Sequence, residues 1–411
     1  MIDSFFFAGS LIFWGYEDKF DYVDALFVIT SASTVTGLSS IDFTQVSRGG
    51  QVIVLIWILL GGLINVSIGP IIVRLVVSKY REATADRPGE MEIMSDQTSR
   101  ILKMLIVTIF LYAFCIELFA FLLMGAYLQS EEGPHRVMVL NGVDSGWWWA
   151  IFHTISYFQN AGFSLFASSL MPFANDRVIS LTCTFIVVAG NTLYPIFLRV
   201  VLRVVSIVVP SRSLRDDIDE LLRNPRYFYQ LLFPLRGTLA LLAFWVAITL
   251  AEWCIFFVEF NRVIVYGYPF SAGIKLMIDF VQTVAVRASG YNNVNVGLLT
   301  YGHLSFLIVS MYISVFPMVL TVRKSNKNDL DDEKVIQTAS QARRFLARDL
   351  IWVYLVIVVI NFIESPGSAS SRVPNPFLSL CFEVSSAFGT VGLSMGKREV
   401  LRSCVCACMR V

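Results

Sequence analysis

Ser31-Ala-Ser-Thr-Val-Thr-Gly-Leu-Ser-Ser-Ile-Asp42 is small, rich in hydroxyls and centred on a glycine, yet it is flanked by apolar sequence. Phe20–Ile29 leads in, and Val52–Ile72 leads out as a run long enough to cross a bilayer. Non-helical backbone at membrane depth is tolerated only where protein buries it or where it lines a watery cavity. A short helix followed by a glycine turn, set between two spans, therefore reads as a re-entrant loop. Three further stretches repeat the pattern: Phe152-His-Thr-Ile-Ser-Tyr-Phe-Gln-Asn-Ala-Gly-Phe-Ser-Leu165, Phe280-Val-Gln-Thr-Val-Ala-Val-Arg-Ala-Ser-Gly-Tyr-Asn292 and Phe382-Glu-Val-Ser-Ser-Ala-Phe-Gly-Thr-Val-Gly-Leu-Ser394. Their central glycines, Gly37, Gly162, Gly290 and Gly392, recur at intervals of just over a hundred residues, the mark of a long, diverged internal repeat.

The rest of the chain fits that reading. Of its 411 residues 56% are hydrophobic and only 15% charged, and the mean hydropathy is +0.66. Soluble domains carry about 25% charged residues, so the composition describes a polytopic, all-α membrane protein. A net charge of +1 gives no sign of a nucleic-acid partner. The seven cysteines form no disulfide framework; Cys115, Cys183 and Cys254 lie in apolar runs as small hydrophobes. No signal peptide is evident.

In chain order, Ile2–Tyr16 reads as the outer part of a first helix, short at its amino end, and Asp21–Val35 as the first pore helix. Gln51–Lys79 reads as one span, Ile101–Leu128 as the next, and Gln129–Ser145 as a polar loop before the pore helix that begins at Trp147-Trp-Trp149. Val178–Val209 follows, with Gly190-Asn191 and Pro195 as kinks or helix ends. Ser211–Arg226 is a charged, soluble linker. Phe233–Phe260, the pore helix Ser271–Val286 and the span Leu298–Val322 make the third unit. After the charged stretch Arg323–Asp349 come Leu350–Ile363, the loop Glu364–Pro376 and the fourth pore helix Phe377–Phe388. The units run 1–79, 80–209, 210–323 and 324–411, each a helix, a re-entrant loop and a helix around a pseudo-fourfold axis. The tail from Lys397 is too short and charged for a closing span, so the last helix is expected to be missing. Lysines and arginines crowd the linkers between units and are sparse beside the glycine stretches. By the positive-inside rule all four loops enter from the outer side, in the same direction. That parallel order disfavours an inverted-repeat, alternating-access carrier.

Backbone carbonyls can replace the water shell of a cation, and glycine's access to positive φ lets successive carbonyls face one axis. No Asp or Glu adjoins the four glycines, which favours a monovalent cation over calcium; Asp42 stands near enough to attract cations at the mouth. His153 lacks a second ligand at metal-binding spacing, and Cys404-x-Cys-x-Cys408 reads as incidental. Asn65-Val-Ser67 matches the glycosylation pattern but falls inside a span. No nucleophile–base set or phosphate loop suggests an enzyme.

The four ordered motifs resemble those of the Trk/Ktr/HKT superfamily of potassium and sodium transporters. Gly190-Asn-Thr-Leu-Tyr-Pro-Ile-Phe-Leu-Arg199 and Met311-Tyr-Ile-Ser-Val-Phe-Pro317 are similar to its eukaryotic, fungal-type branch. The resemblance implies potassium uptake, with sodium as co-ion or competitor, through a selectivity filter at Thr36, Gly37, Ala161, Gly162, Ser289, Gly290, Val391 and Gly392. Glycine at Gly37, where relatives selective for sodium carry serine, implies potassium. It further implies a homodimer in the plasma membrane with one pore per protomer, surrounding lipid, and a gate around Gly302, Ser310 and Ser314. No cofactor is implied, and nothing marks a site for a cytosolic regulatory subunit. Arg287 is expected to brace the loops through an ion pair, with Glu383 as the partner proposed here, or to tune ion occupancy. Asn160 and Asn292 are expected to brace loop backbone. A truncated, non-conducting subunit is the alternative.

Overall fold

The computed structural model describes residues 2–84, 96–130, 132–143, 145–259, 271–314, 350–360 and 376–395. Among them the regular structure is helical: α1 (Ile2–Tyr16), α2 (Tyr22–Ser33), α3 (Arg48–Gly61), α4 (Leu63–Thr84), α5 (Asp96–Ser130), α6 (Glu132–Leu140), α7 (Gly146–Phe158), α8 (Arg177–Val187), α9 (Tyr194–Val208), α10 (Arg212–Arg223), α11 (Pro225–Phe228), α12 (Leu235–Glu259), α13 (Ala272–Ala285) and α14 (Tyr301–Ser314), then α15 (Leu350–Ile360) and α16 (Pro376–Phe388). The stretches Arg323–Asp349 and Glu364–Asn375 and the tail from Lys397 lie outside the described residues. α4, α5 and α12 are long and apolar enough to cross a membrane.

The short helices α2, α7, α13 and α16 each lead into one of the four glycine loops. Side-chain caps set the starts of two helices here, α7 and α3. Ser145 accepts from the Trp148 N–H at the head of α7, and α3 opens where Ser47 accepts from Gly50 and donates to the buried Glu17.

One span differs from the reading as a continuous helix, and a second breaks where Gly190-Asn191 was expected to kink it. Gln51–Lys79 is broken at Gly62 into α3 and α4, and the Asn65 amide bridges the break by donating to the Leu59 carbonyl at 2.6 Å. Asn65 is thereby engaged in backbone capping. α8 and α9 meet at 88° across a π-helical turn, Val188–Thr192. Both breaks adjoin a close backbone contact at a glycine. A β-carbon on Gly61 would overlap the Ser33 carbonyl, and one on Gly190 the Phe158 carbonyl. Each broken span thus passes backbone to backbone against the end of a short helix, α2 or α7. Valine at Gly190 should separate α7 from the bend. Such overpacking costs about 1–3 kcal/mol, and the check is a lower melting temperature of the purified protein with a loss of monodispersity; an unchanged melt would refute the contact.

The segment Gln129–Ser145, expected to be loop, contains α6, whose Met138 is fully buried. The linker Ser211–Arg226 is helical, and it runs on into an irregular strap whose Phe228, Tyr229, Leu231, Leu232 and Phe233 are all buried. Tyr229 shares its hydroxyl with Ser67 of α4 at 2.5 Å and Tyr194 of α9 at 2.9 Å. Arg74 and Arg199 donate to the Tyr227 and Phe233 carbonyls, both at 2.7 Å. The linker's apolar end is therefore a core element, held by the second halves of both bent spans.

Candidate functional site

The four loops meet in one place. A β-carbon on Gly37 would overlap the Ala161 carbonyl, one on Gly162 the Ser289 carbonyl, one on Gly290 the Val391 carbonyl, and one on Gly392 the Thr36 carbonyl. Each glycine thus lies against the residue preceding the glycine of the next loop, and the fourth loop returns to the first. All four glycines have positive φ: 85° at Gly37, 70° at Gly162, 39° at Gly290 and 84° at Gly392. Conformation and crowding both exclude a side chain there.

Loops one, two and four share a backbone device. Two residues before the glycine, Val35, Asn160 and Thr390 have φ of 48°, 68° and 48°. Between them and the glycine, the N–H of Thr36, Ala161 and Val391 donates back to the carbonyl of Ser31, Ser156 and Ser386, at 2.8, 2.7 and 3.0 Å. Left-handed residues two apart turn the chain out of the pore helix and into the contact with its neighbour.

Loop three is built differently. The residue after its helix, Val286, stands four positions before the glycine, whereas Thr34, Gln159 and Gly389 stand three before theirs. The left-handed pair is then Ser289 and Gly290 in succession, with φ of 65° and 39°. Arg287, one residue beyond Val286 as Val35 is beyond Thr34, is drawn sideways.

Its partner is Glu252 of α12, not Glu383. The Arg287 Nε donates to Glu252 at 2.9 Å, and a second guanidinium nitrogen lies 2.5 Å from the same oxygen. The other carboxylate oxygen accepts from Ser310 of α14. Glu252 is fully buried and Arg287 nearly so. One carboxylate thus joins α12 and α14 to loop three. Glu383 is occupied within its own loop, accepting from the Ser394 hydroxyl and the Met395 N–H, both at 2.9 Å. His153 does for loop two what Glu383 does for loop four: its Nε2 lies 3.1 Å from the Ser164 hydroxyl. In loop three Gln282 accepts from the N–H groups of Asn293 and Val294, at 2.8 and 3.2 Å.

The two asparagines cross between loops. Asn160 donates to the Thr390 carbonyl at 3.3 Å. Asn292 donates its side chain to the Ser394 carbonyl at 3.0 Å and its N–H to Ser169 at 3.1 Å. Asp42 accepts from the N–H and hydroxyl of Thr44, capping the turn Phe43–Gln45. Gly302 lies in the first turn of α14, away from the loops, while Ser310 touches Glu252 and Ser314 ends the described helix.

Sequence reading missed Glu252 and also Glu117 of α5, whose carboxylate accepts from Gln159 at the end of α7 at 3.1 Å. In both, a helix preceding a loop presents an acid to the residues just beyond the pore helix. The signal was there: each is an isolated acid inside an apolar span, and charge at that depth is costly and often functional.

All-helical architecture, bilayer-length spans and four glycine loops meeting among them place the chain with polytopic membrane transport proteins rather than enzymes. It belongs to the TrkH family: the family model described as cation transport protein matches residues 6–405. A Dictyostelium discoideum protein named for potassium transport is 31% identical over 297 residues, 72% of this chain and 44% of that one. Ktr system potassium uptake protein B of Bacillus subtilis is 26% identical, over 91% of this chain and 79% of that protein. The crystal structure of the potassium transporter TrkH from Vibrio parahaemolyticus shares the fold, with a TM-score of 0.52 at 14% identity, covering 97% of this chain and 78% of that one. The chain spans less than half the length of the Dictyostelium relative.

Proposed function

We propose that this chain carries potassium across a membrane through a filter formed by the four loops, with sodium as co-ion or competitor. The observation that supports this most is the closed succession of contacts from Gly37 through Gly162, Gly290 and Gly392 back to Thr36. It brings four stretches of carbonyl-bearing backbone around a common centre, as dehydration of a monovalent cation requires. Thr36, Ala161, Ser289 and Val391, with their glycines, supply the oxygens. The four units 1–79, 80–209, 210–323 and 324–411 are then repeats around the pore. Asp42 biases the mouth electrostatically, and Ser310 and Ser314 lie on the gating helix. A homodimer in the plasma membrane, bounded by lipid, completes the proposal.

The test is rubidium and sodium uptake in cells deficient in potassium uptake, comparing the chain with Gly37→Ser. The wild-type chain should restore growth on low potassium, and the variant should lower the Rb⁺/Na⁺ uptake ratio. Absence of uptake by the wild-type chain despite surface expression would sink the proposal. An unchanged ratio in Gly37→Ser would remove the first loop from the filter.

A further inference from the structure

Asp279 lies in the third pore helix, 1% exposed, and neither carboxylate oxygen has a hydrogen-bond partner. The position is unusual within the molecule. Counted back from the residue that follows each pore helix, Asp279 occupies the place of Phe27, Phe152 and Phe382 in the other three. Two of those phenylalanines are fully buried. In this helix-end register a carboxylate stands where the others carry a ring, Phe280 holding that place when counted from the glycine, and neither of its oxygens is paired.

It is not isolated among polar groups either. Gln282, one turn along α13 and on the same face, is fully buried and leaves its Nε2 unpartnered. Its oxygen is fixed by the N–H groups of Asn293 and Val294, so the amide cannot turn round. Asn293 is 2% exposed, with both Oδ1 and Nδ2 unpartnered. Five polar atoms of three residues are thus left unsatisfied on the flank of α13 that faces the limb of loop three beyond Gly290. The apolar residues Ile278, Val294, Val296 and Leu299 pack in one cluster on the same elements. Unmet groups of this kind each cost about 1–3 kcal/mol, so an occupant that met them would be held there.

We propose that Asp279, with Asn293 and Gln282, forms a second cation site behind loop three, holding a hydrated monovalent ion. The chemistry selects that occupant. Asp279 and the Asn293 Oδ1 offer hard oxygen ligands, which suit an alkali ion rather than a transition metal. A single carboxylate neutralises one positive charge, too little for a dehydrated divalent ion. The amide hydrogens of Gln282 and Asn293 cannot face a cation, but they can donate to the oxygen of a water that the ion carries. Asp279 is thereby compensated by an ion, where Glu252 is compensated by Arg287.

The experiment is thermal melting of the purified full-length chain at constant ionic strength, with choline chloride replaced stepwise by NaCl or KCl. Wild type, Asp279→Asn and Asp279→Phe are compared. In choline, both variants should melt above wild type, because the uncompensated charge is gone. As sodium or potassium rises, wild type should gain several degrees along a saturating curve and overtake Asp279→Asn, because a ligand that binds only the folded state stabilises it. Ion binding in the loop ring contributes equally to all three proteins and cancels in the difference, so the result does not depend on whether the ring conducts. A constant offset between wild type and both variants across every salt would overturn the site and leave bridging water as the occupant. Should one variant fail to fold, Asn293→Ala replaces it, and it too should flatten the cation dependence; an undiminished dependence would equally overturn the site.

Discussion

Alanine at Gly162 should abolish rubidium uptake while the chain still reaches the membrane. Two costs act on the same atom. Gly162 has φ of 70°, a conformation that costs an L-residue roughly 1–2 kcal/mol. The added methyl also points at the Ser289 carbonyl of the next loop. That neighbour is backbone, so it cannot swing aside as a flexible side chain would. Moving it shifts Ser289, whose own left-handed conformation and contact with Gly162 fix the third loop. The displacement therefore falls on the proposed ion ligands, not on the core. Gly273→Ala is the control: it lies in the first turn of α13 with open space around it, and uptake should survive. Uptake by Gly162→Ala at the wild-type rate, with equal surface expression, would contradict the proposed role of the contact.

The placement of the loops was legible because glycine is the residue that satisfies both positive φ and backbone contact, and because short apolar helices precede each one. The start and stop of the pore helices followed from the same punctuation: Ser271–Val286 was expected and Ala272–Ala285 is found. What the pattern hid is instructive. Loop three carries the same glycine followed by an apolar residue as the others, yet its helix ends one residue earlier relative to that glycine. A local motif does not reveal that, because the shift goes with a tertiary contact, the ion pair of Arg287 with Glu252. Glu383 was the nearer acid by motif, but it is consumed by Ser394 and Met395 of its own loop. The kink at Gly190-Asn191 was legible and falls within Val188–Thr192, whereas the break at Gly62 was not, because the Ser33 carbonyl against Gly61 is a tertiary contact. Gln129–Ser145 was read as loop from its polarity; one face of α6 still buries Met138.

Glutamine at Glu252 should cut cation uptake about tenfold, and Arg287→Gln should restore part of it. The pair is buried, with side chains 4% and 0% exposed. Removing one member of such a pair leaves an uncompensated charge, at a cost of about 3–5 kcal/mol. The backbone of Arg287 stands three residues from Gly290, within ~10 Å of the loop ring by the reach of extended chain, and ~10 Å is taken as the scale for its charge. At an effective dielectric of ~20, a guanidinium at that distance repels a monovalent cation by about 1.7 kcal/mol, roughly a tenfold loss of occupancy. Glutamine keeps the shape and can still accept from Ser310, so the single variant isolates charge from packing. In the double variant no charge remains, two amides can bond to each other, and the ring regains a neutral wall. A purely structural brace predicts the opposite order, with the double variant worse than either single one because both halves of the link between α12, α14 and loop three are weakened. Surface-normalised rubidium uptake of the four proteins decides between them. Uptake by the double variant at or below that of Glu252→Gln would show that Glu252 holds the loop by geometry and not by neutralising Arg287.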